Sequence, residues 1–188
     1  GRGIGKAIAM SLGSEGATVI VNSYGEDTTT GTVDAINDAG GKAIGVPGDI
    51  TDPYLIMEVV NATIRDYGRI DILVNNVAIS DNKNILDIDL TTWQKTLDIT
   101  LTAPFYFAKC VAQKMVDQGI PGNIVNVSST TGYFGRGRAI AYAAAKGGVV
   151  NLTKAMAIQL AEYNIRVNSV VPNKIGSPVG KDEFDPGR

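Results

Sequence analysis

Residues 122–171 read GNIVNVSSTTGYFGRGRAIAYAAAKGGVVNLTKAMAIQLAEYNIRVNSVV. The stretch opens with Gly122 to Val127, a short run rich in β-branched residues and bounded by turn formers, which predicts a strand. Tyr142 to Tyr163 carry apolar residues at helical spacing. Ile165 to Val171 form a second β-branched run. A strand, a connecting helix and a further strand make a βαβ unit, whose crossover is right-handed and whose strands are parallel.

Outward from this unit the same alternation fills the chain. Residues 3–15 place Ile4, Ala7, Ile8 and Leu12 on one helical face, and Ala17 to Val21 follow as a strand. A helix over about 26–38 opens with Glu26 and Asp27, which suit the positive end of the helix dipole, and it stops at Gly40-Gly41. Residues 42–47 form the next strand. Asp52-Pro53 reads as a cap followed by proline at the first helical position, and Gly68 closes that helix. Ile70 to Val74 are apolar almost throughout, as expected of a strand covered on both faces. A helical pattern from about Thr91 to Gln118 contains Pro104, which predicts a kink or a break. The expected fold is therefore α/β: a Rossmann-type doubly wound parallel sheet with helices on both faces, forming one domain over 1–188. Ligands in such sheets bind beyond the carboxyl ends of the strands, so the segments after Val21, Pro47, Val74, Val127 and Val171 hold the candidate site.

Composition narrows the chemistry. The formal charge of −2, from 17 basic and 19 acidic residues, gives no basic surplus to attract nucleic acid or an anionic membrane. No apolar run reaches the length of a membrane span, and no signal peptide precedes the first helical pattern. A single cysteine, Cys110, cannot form an internal disulfide, which fits a reduced cytoplasmic setting. The chain has no histidine. A serine–histidine–acid triad and a histidine-ligated zinc are thereby excluded, and no metal site is expected. Proton transfer near neutrality must use tyrosine, lysine or a carboxylate.

Three segments bear groups that fit such chemistry. Gly1-Arg2-Gly3-Ile4-Gly5 runs straight into a helix, where glycines and free N–H groups can approach a pyrophosphate; glycines also mark plain turns. Tyr142 and Lys146, four apart at a helix opening, share one face. A neighbouring ammonium favours the phenolate form of a tyrosine and fits it for acid–base work; a bland exposed helical pair has the same spacing. Finally, the strand ending at Val127 delivers Ser128 and Ser129 to the carboxyl end of the sheet. A hydroxyl there can hold a substrate oxygen, though serines ending a strand are more often turn formers.

Taken in order, these segments resemble the short-chain dehydrogenase/reductase family, and the resemblance covers the whole chain. Gly1-Arg2-Gly3-Ile4-Gly5 is similar to the later part of the family's glycine turn, with the Thr-Gly and the first strand missing. Gly48-Asp49-Ile50-Thr51-Asp52 resembles its adenine-contacting segment, and Leu73-Val74-Asn75-Asn76-Val77-Ala78 its Asn-Asn-Ala-Gly motif. Ser129, Tyr142 and Lys146 fall at the family's catalytic spacing. Ile165 to Ser169, with Pro172-Asn173-Lys174-Ile175-Gly176-Ser177-Pro178, resembles its Pro-Gly-x-Ile-x-Thr-Pro loop. The resemblance implies an NAD(P)-dependent oxidoreductase acting on a small alcohol or ketone. Tyr142 would be the general acid/base. Lys146 would assist it and bind the nicotinamide ribose, and Ser129 would orient the substrate oxygen. Arg2, Gly3 and Ile4 in the turn, Asp49 and Ile50 at the adenine, Asn76 at the ribose and Ile175 at the carboxamide would hold the cofactor.

The departures from the pattern are informative. Thr100 stands where the family carries a fourth catalytic residue, an Asn that anchors a water linking the lysine to solvent, so a slower proton relay is expected. Ala78 and Asn173 replace glycines. Val21 is followed by Asn22, Ser23 and Tyr24, with no acid to bond a ribose 2′-hydroxyl, while Arg2 could pair with a 2′-phosphate. NADP(H) is therefore favoured and NAD(H) kept open, with Glu26 and Asp27 pulling the other way. The sequence is expected to be a partial record lacking the first strand and the C-terminal part, which should leave neighbouring strands with unpaired edges. Tyr133 and Phe134 would line the substrate pocket or pack in the core. The resemblance implies a substrate that is either a sugar, as in glucose 1-dehydrogenase-like members, or a 3-oxoacyl compound, and family habit suggests a homotetramer or dimer. The competing expectations are a non-catalytic dinucleotide-binding sensor or scaffold of the same fold, and an unfolded fragment.

Overall fold

The computed structural model describes residues 1–173, in two compact units, one over Gly1–Asp49 and one over Ile50–Asn173. The first unit contains helix α1 (Gly3–Ser14), strand β1 (Thr18–Ser23), helix α2 (Glu26–Asp38) and strand β2 (Lys42–Pro47). The two strands are parallel, paired from Thr18 with Lys42 to Ser23 with Pro47. Val21, Ile36 and Ala43 form the buried core between helix and sheet. The acidic first turn of α2 holds Glu26 and Asp27, as the helix dipole favours. Gly40, at φ +83°, turns the chain back toward β2 in a conformation that side chains resist.

The second unit begins with helix α3 (Pro53–Tyr67). The Asp52 side chain accepts from the Tyr54 N–H at 2.9 Å, and Gly68 closes the helix in the left-handed region. Strand β3 (Ile72–Asn75), helix α4 (Leu90–Leu97), helix α5 (Ala103–Gln118) and strand β4 (Gly122–Val127) follow. Helix α6 (Ile140–Leu160) and strand β5 (Ile165–Val170) complete it. The strands lie in the order β3-β4-β5, all parallel. The core joins Val60 of α3, Val111 and Met115 of α5, Ile124 of β4, Met156 of α6 and Ile165 of β5. Met115 and Ile124 are 0% exposed, and each contributes about 2 kcal/mol through burial.

Three details sharpen the expected elements. The long helical pattern breaks ahead of Pro104, through a π-helical turn over Asp98–Thr102, because proline at the opening of α5 has no N–H to continue the α pattern. Helix α6 starts at Ile140, two residues before Tyr142, because a distant loop caps its N–H groups. The expected single sheet is present as two parallel sheets, one in each unit. Among the described residues neither β1 nor β3 carries a second strand on its other edge, so each has the unpaired edge expected of it.

Within the second unit a buried polar chain ties strands to helices. Asn75 Nδ2 donates to Pro104 O and to Asn126 Oδ1 at 2.9 Å; Asn126 Nδ2 donates to Thr153 Oγ1 at 2.9 Å; Thr153 donates to Val149 O. Every link is satisfied, so these polar groups fix the register of β3, β4, α5 and α6 without a burial penalty. Among the described residues no helix is long and apolar enough to cross a membrane.

Candidate active site

The carboxyl end of β4 places Val127, Ser128 and Ser129 against helix α6. Ser128 is buried, and its hydroxyl donates to Lys146 O at 3.1 Å. Lys146 Nζ donates to Val127 O at 2.6 Å. The strand end therefore grips the lysine at both its backbone and its head group. Gly132 explains why that approach is close: a Cβ there would stand 2.7 Å from Lys146 O. Ser129 caps a short 3-10 turn over Thr130–Gly132; its Oγ accepts from Thr131 N at 3.2 Å and donates to Thr131 Oγ1 at 3.1 Å. The turn-forming role considered for a strand-ending serine is thus present. The hydroxyl can still swing its proton to a substrate, since the Thr131 N–H alone holds the oxygen in place.

Tyr142 lies in the first turn of α6 and Lys146 one turn further. Lys146 Nζ sits 5.7 Å from the centre of the Tyr142 ring, within cation–π range. Lys146 is 3% exposed, and burial lowers the ammonium from its ordinary 10.5 to about 8. With one donor on Val127 O, the ammonium retains two for other partners. Tyr142 is half-buried. Among the described residues no hydrogen bond joins the hydroxyls of Ser129 and Tyr142. Tyr133 and Phe134 are 53% and 71% exposed, so the core-packing alternative for them fails.

Two groups frame this arrangement, one in the π-helical turn and one in the loop after β3. Thr100, in the π-helical turn, is fully buried; its hydroxyl accepts from Ile79 N at 3.2 Å and donates to Ile79 O at 3.4 Å. Its single proton is therefore committed to a backbone carbonyl. Asp81 is the residue that sequence reasoning missed. Its Oδ1 accepts from Tyr142 N at 3.0 Å and its Oδ2 from Ala141 N at 3.4 Å. An acid followed sixty residues later by a helix start leaves no local pattern. Asn76, also in this loop, is half-buried.

In the first unit, Arg2 is exposed and occupies the cap position of α1, with Gly3 and Ile4 opening the helix. Asn22 Nδ2 donates to Val46 O at 2.7 Å, and Ser23 Oγ lies 2.7 Å from Thr29 Oγ1, so both polar groups already serve the fold. Tyr24 is 81% exposed. Asp49 ends this unit and Ile50 begins the other. Ile175 lies outside the described residues. A cavity of about 800 Å³ lined by Arg69, Gly122, Asn123 and Ile165 sits at the amino ends of β4 and β5, the wrong end of the strands for Ser129 and Tyr142.

The chain resembles known proteins along nearly its whole length. The family model described as short chain dehydrogenase matches residues 1–186. The chain is 36% identical over 177 residues to a 3-oxoacyl-[acyl-carrier-protein] reductase of Synechocystis sp., covering 94% of this chain and 71% of that protein. It is 37% identical over 184 residues to trans-4-hydroxycyclohexanecarboxylate dehydrogenase of Sinomonas cyclohexanicum, covering 95% and 70%. Among solved structures, a variant of actinorhodin polyketide ketoreductase with NADPH superposes with a TM-score of 0.92 at 34% identity, over 97% of this chain and 72% of that one.

Proposed function

The chain belongs to the short-chain dehydrogenase family of oxidoreductases, and on that premise we propose that it interconverts a ketone and a secondary alcohol on a small molecule, with a nicotinamide dinucleotide as redox partner. The observation that carries this reading is the buried Lys146 ammonium beside the Tyr142 ring at the carboxyl end of β4. One relative is named for a 3-oxo group and another for a 4-hydroxy group, the two redox states of one kind of carbon. A 3-oxoacyl compound or a sugar remains the proposed substrate class.

The residues present fit a dinucleotide. Arg2, Gly3 and Ile4 stand at the start of α1, where N–H groups of the first turn have no partner within the helix. A Cβ on Gly1 would stand 2.5 Å from Ser23 Oγ, so this turn is packed as only glycine allows. Asp49, Ile50 and Asn76 are proposed for the adenosine part, with Asn22, Ser23 and Tyr24 beside it and Ile175 at the carboxamide. When bound, the nicotinamide accepts or supplies a hydride. The chain's own residues do the rest. In the reducing direction Tyr142 gives its phenolic proton to the substrate oxygen. The Lys146 ammonium stabilises the phenolate left behind and uses its free donors on the ribose hydroxyls. Ser129 donates to the substrate oxygen once its proton leaves Thr131, and Thr100 supports the site through Ile79.

Tyr142→Phe is the test. Ketone reduction should fall by roughly 10³-fold while dinucleotide binding, followed by fluorescence, stays within about twofold. Retained turnover would remove the tyrosine from the chemistry. Protein that binds dinucleotide but never turns over a ketone would favour the sensor or scaffold reading, which the committed proton of Thr100 supports. NADP(H) is the proposed cofactor, with NAD(H) the alternative, because no acid follows Val21 while Arg2 is exposed beside the glycine turn. Arg2→Ala should weaken NADPH binding roughly tenfold and leave NADH unaffected; equal loss of both would refute the 2′-phosphate contact. A homotetramer or dimer in the cytoplasm completes the proposal, with light scattering as the check on assembly.

A further inference from the structure

We propose that Asp81 is a positioning residue for Tyr142, holding the amino end of α6 and so setting where the phenol stands; the inference rests on the function proposed above. A helix start leaves its first N–H groups without partners. Here the cap residue, Ala139, is left-handed at φ +64° and offers no side-chain acceptor. The segment before it gives no support: Arg136 and Arg138 are exposed, and a Cβ on Gly135 or Gly137 would meet nothing within 4 Å. The loop after β3 supplies the cap instead. Lys83 O accepts from Ile140 N at 3.3 Å. The Asp81 carboxylate takes Ala141 N with one oxygen and Tyr142 N with the other.

Asp81 is itself anchored. Two residues earlier, both backbone groups of Ile79 are held by the buried Thr100 hydroxyl, and Asp81 Oδ2 also accepts from Lys83 N at 3.3 Å. The buried Thr100 of the π-helical turn, the loop and the first turn of α6 thus form one connected bridge that ends on the backbone of Tyr142. A phenol near the start of a helix swings with any fraying of the first turn, whereas Lys146, one turn deeper, is held by Val127 and Ser128. Asp81, with Lys83 O on the neighbouring Ile140 N–H, therefore holds the backbone of the member of the pair nearer the helix end.

The test compares Asp81→Ala, Asp81→Asn and Asp81→Glu in reduction of ethyl 3-oxobutanoate by NADPH, with amide hydrogen exchange over the first turn of α6. Asp81→Ala should lower kcat roughly 30-fold, leave KM within about twofold, and speed exchange at residues 140–142 at least about tenfold. Asp81→Asn keeps an oxygen facing Tyr142 N and should recover kcat to within roughly threefold of the parent. Asp81→Glu keeps the charge but displaces the oxygens by a methylene and should resemble Asp81→Ala. Unchanged kcat in Asp81→Ala, even with a lowered thermal midpoint, would overturn the proposal. So would an active Asp81→Glu beside an inactive Asp81→Asn, which would assign the effect to charge. Should Asp81→Ala not fold, the Asn and Glu variants decide by the same criteria. Exchange reads the cap without any turnover, so an altered first turn in a chain whose Tyr142→Phe variant still reduces ketones would fail the proposed function and not the cap.

Discussion

Replacing Lys146 with methionine should make the folded protein more stable at neutral pH while abolishing its activity. The ammonium is 3% exposed and desolvation alone depresses it from 10.5 to about 8. At about 1.4 kcal/mol per pK unit, that gap corresponds to about 3 kcal/mol held against the charged form in the folded state. Between pH 8 and 10.5 the unfolded chain binds the proton that the folded chain has released, so this group makes stability rise with pH across that window. Below about 8 the cost is carried in full. Methionine fills the same stem volume without charge, and it gives up the hydrogen bond to Val127 O, worth about 1–2 kcal/mol. The net expectation is a gain of about 1–2 kcal/mol at pH 7, or about 2–8 °C in thermal midpoint. That gain should shrink and then reverse as pH passes 8 toward 10. Urea unfolding of parent and variant at pH 7 and pH 9.5 measures it. A variant less stable than the parent at pH 7, or a difference that does not move with pH, would refute the picture of a lysine kept in place against its own solvation.

Thr100→Val should cost about 1–3 kcal/mol, because it leaves the N–H and carbonyl of Ile79 without their buried partner; calorimetry that shows no loss would mean solvent replaces the hydroxyl. Thr100→Asn should raise turnover, since the amide can hold Ile79 and still donate to a water; steady-state kinetics with no gain would place the relay elsewhere. Gly132→Ala should cost about 1–3 kcal/mol and lower kcat, as the added methyl would stand 2.7 Å from Lys146 O and must push the 3-10 turn off α6. Thermal melts paired with kinetics check both halves, and an unperturbed variant would show that the contact is easily relaxed.

The alternation of elements was legible because each is set by local periodicity and local caps. Asp52-Pro53 and Gly68 bound α3 in the structure as the sequence implies, and strand Lys42–Pro47 has the bounds expected of it. Pro104 announced a disruption in the long helix but not its form. The π-helical turn carries Thr100 to Ile79, a contact across twenty-one positions that no window of sequence contains.

The chemistry divides along the same line. Tyr142 and Lys146 lie on one helix, so a spacing of four was enough to bring ring and ammonium together. Ser129 was legible as a strand end, but whether its hydroxyl faces substrate or Thr131 is a rotamer question that strand position does not answer. Asp81 was invisible because its partner is the backbone of α6, and a backbone N–H has no letter in the sequence. The helix start itself held the clue. A helix that begins at Ala139-Ile140 after Gly135-Arg136-Gly137-Arg138 has no serine, threonine, aspartate or asparagine to cap it, and N–H groups beside residues as buried as Ala139 and Ala141 must borrow an acceptor from elsewhere. An absent local cap beside a proposed catalytic tyrosine is therefore itself a signal, and it directs the search to the acids of the loops at the same end of the sheet, where Asp81 stands.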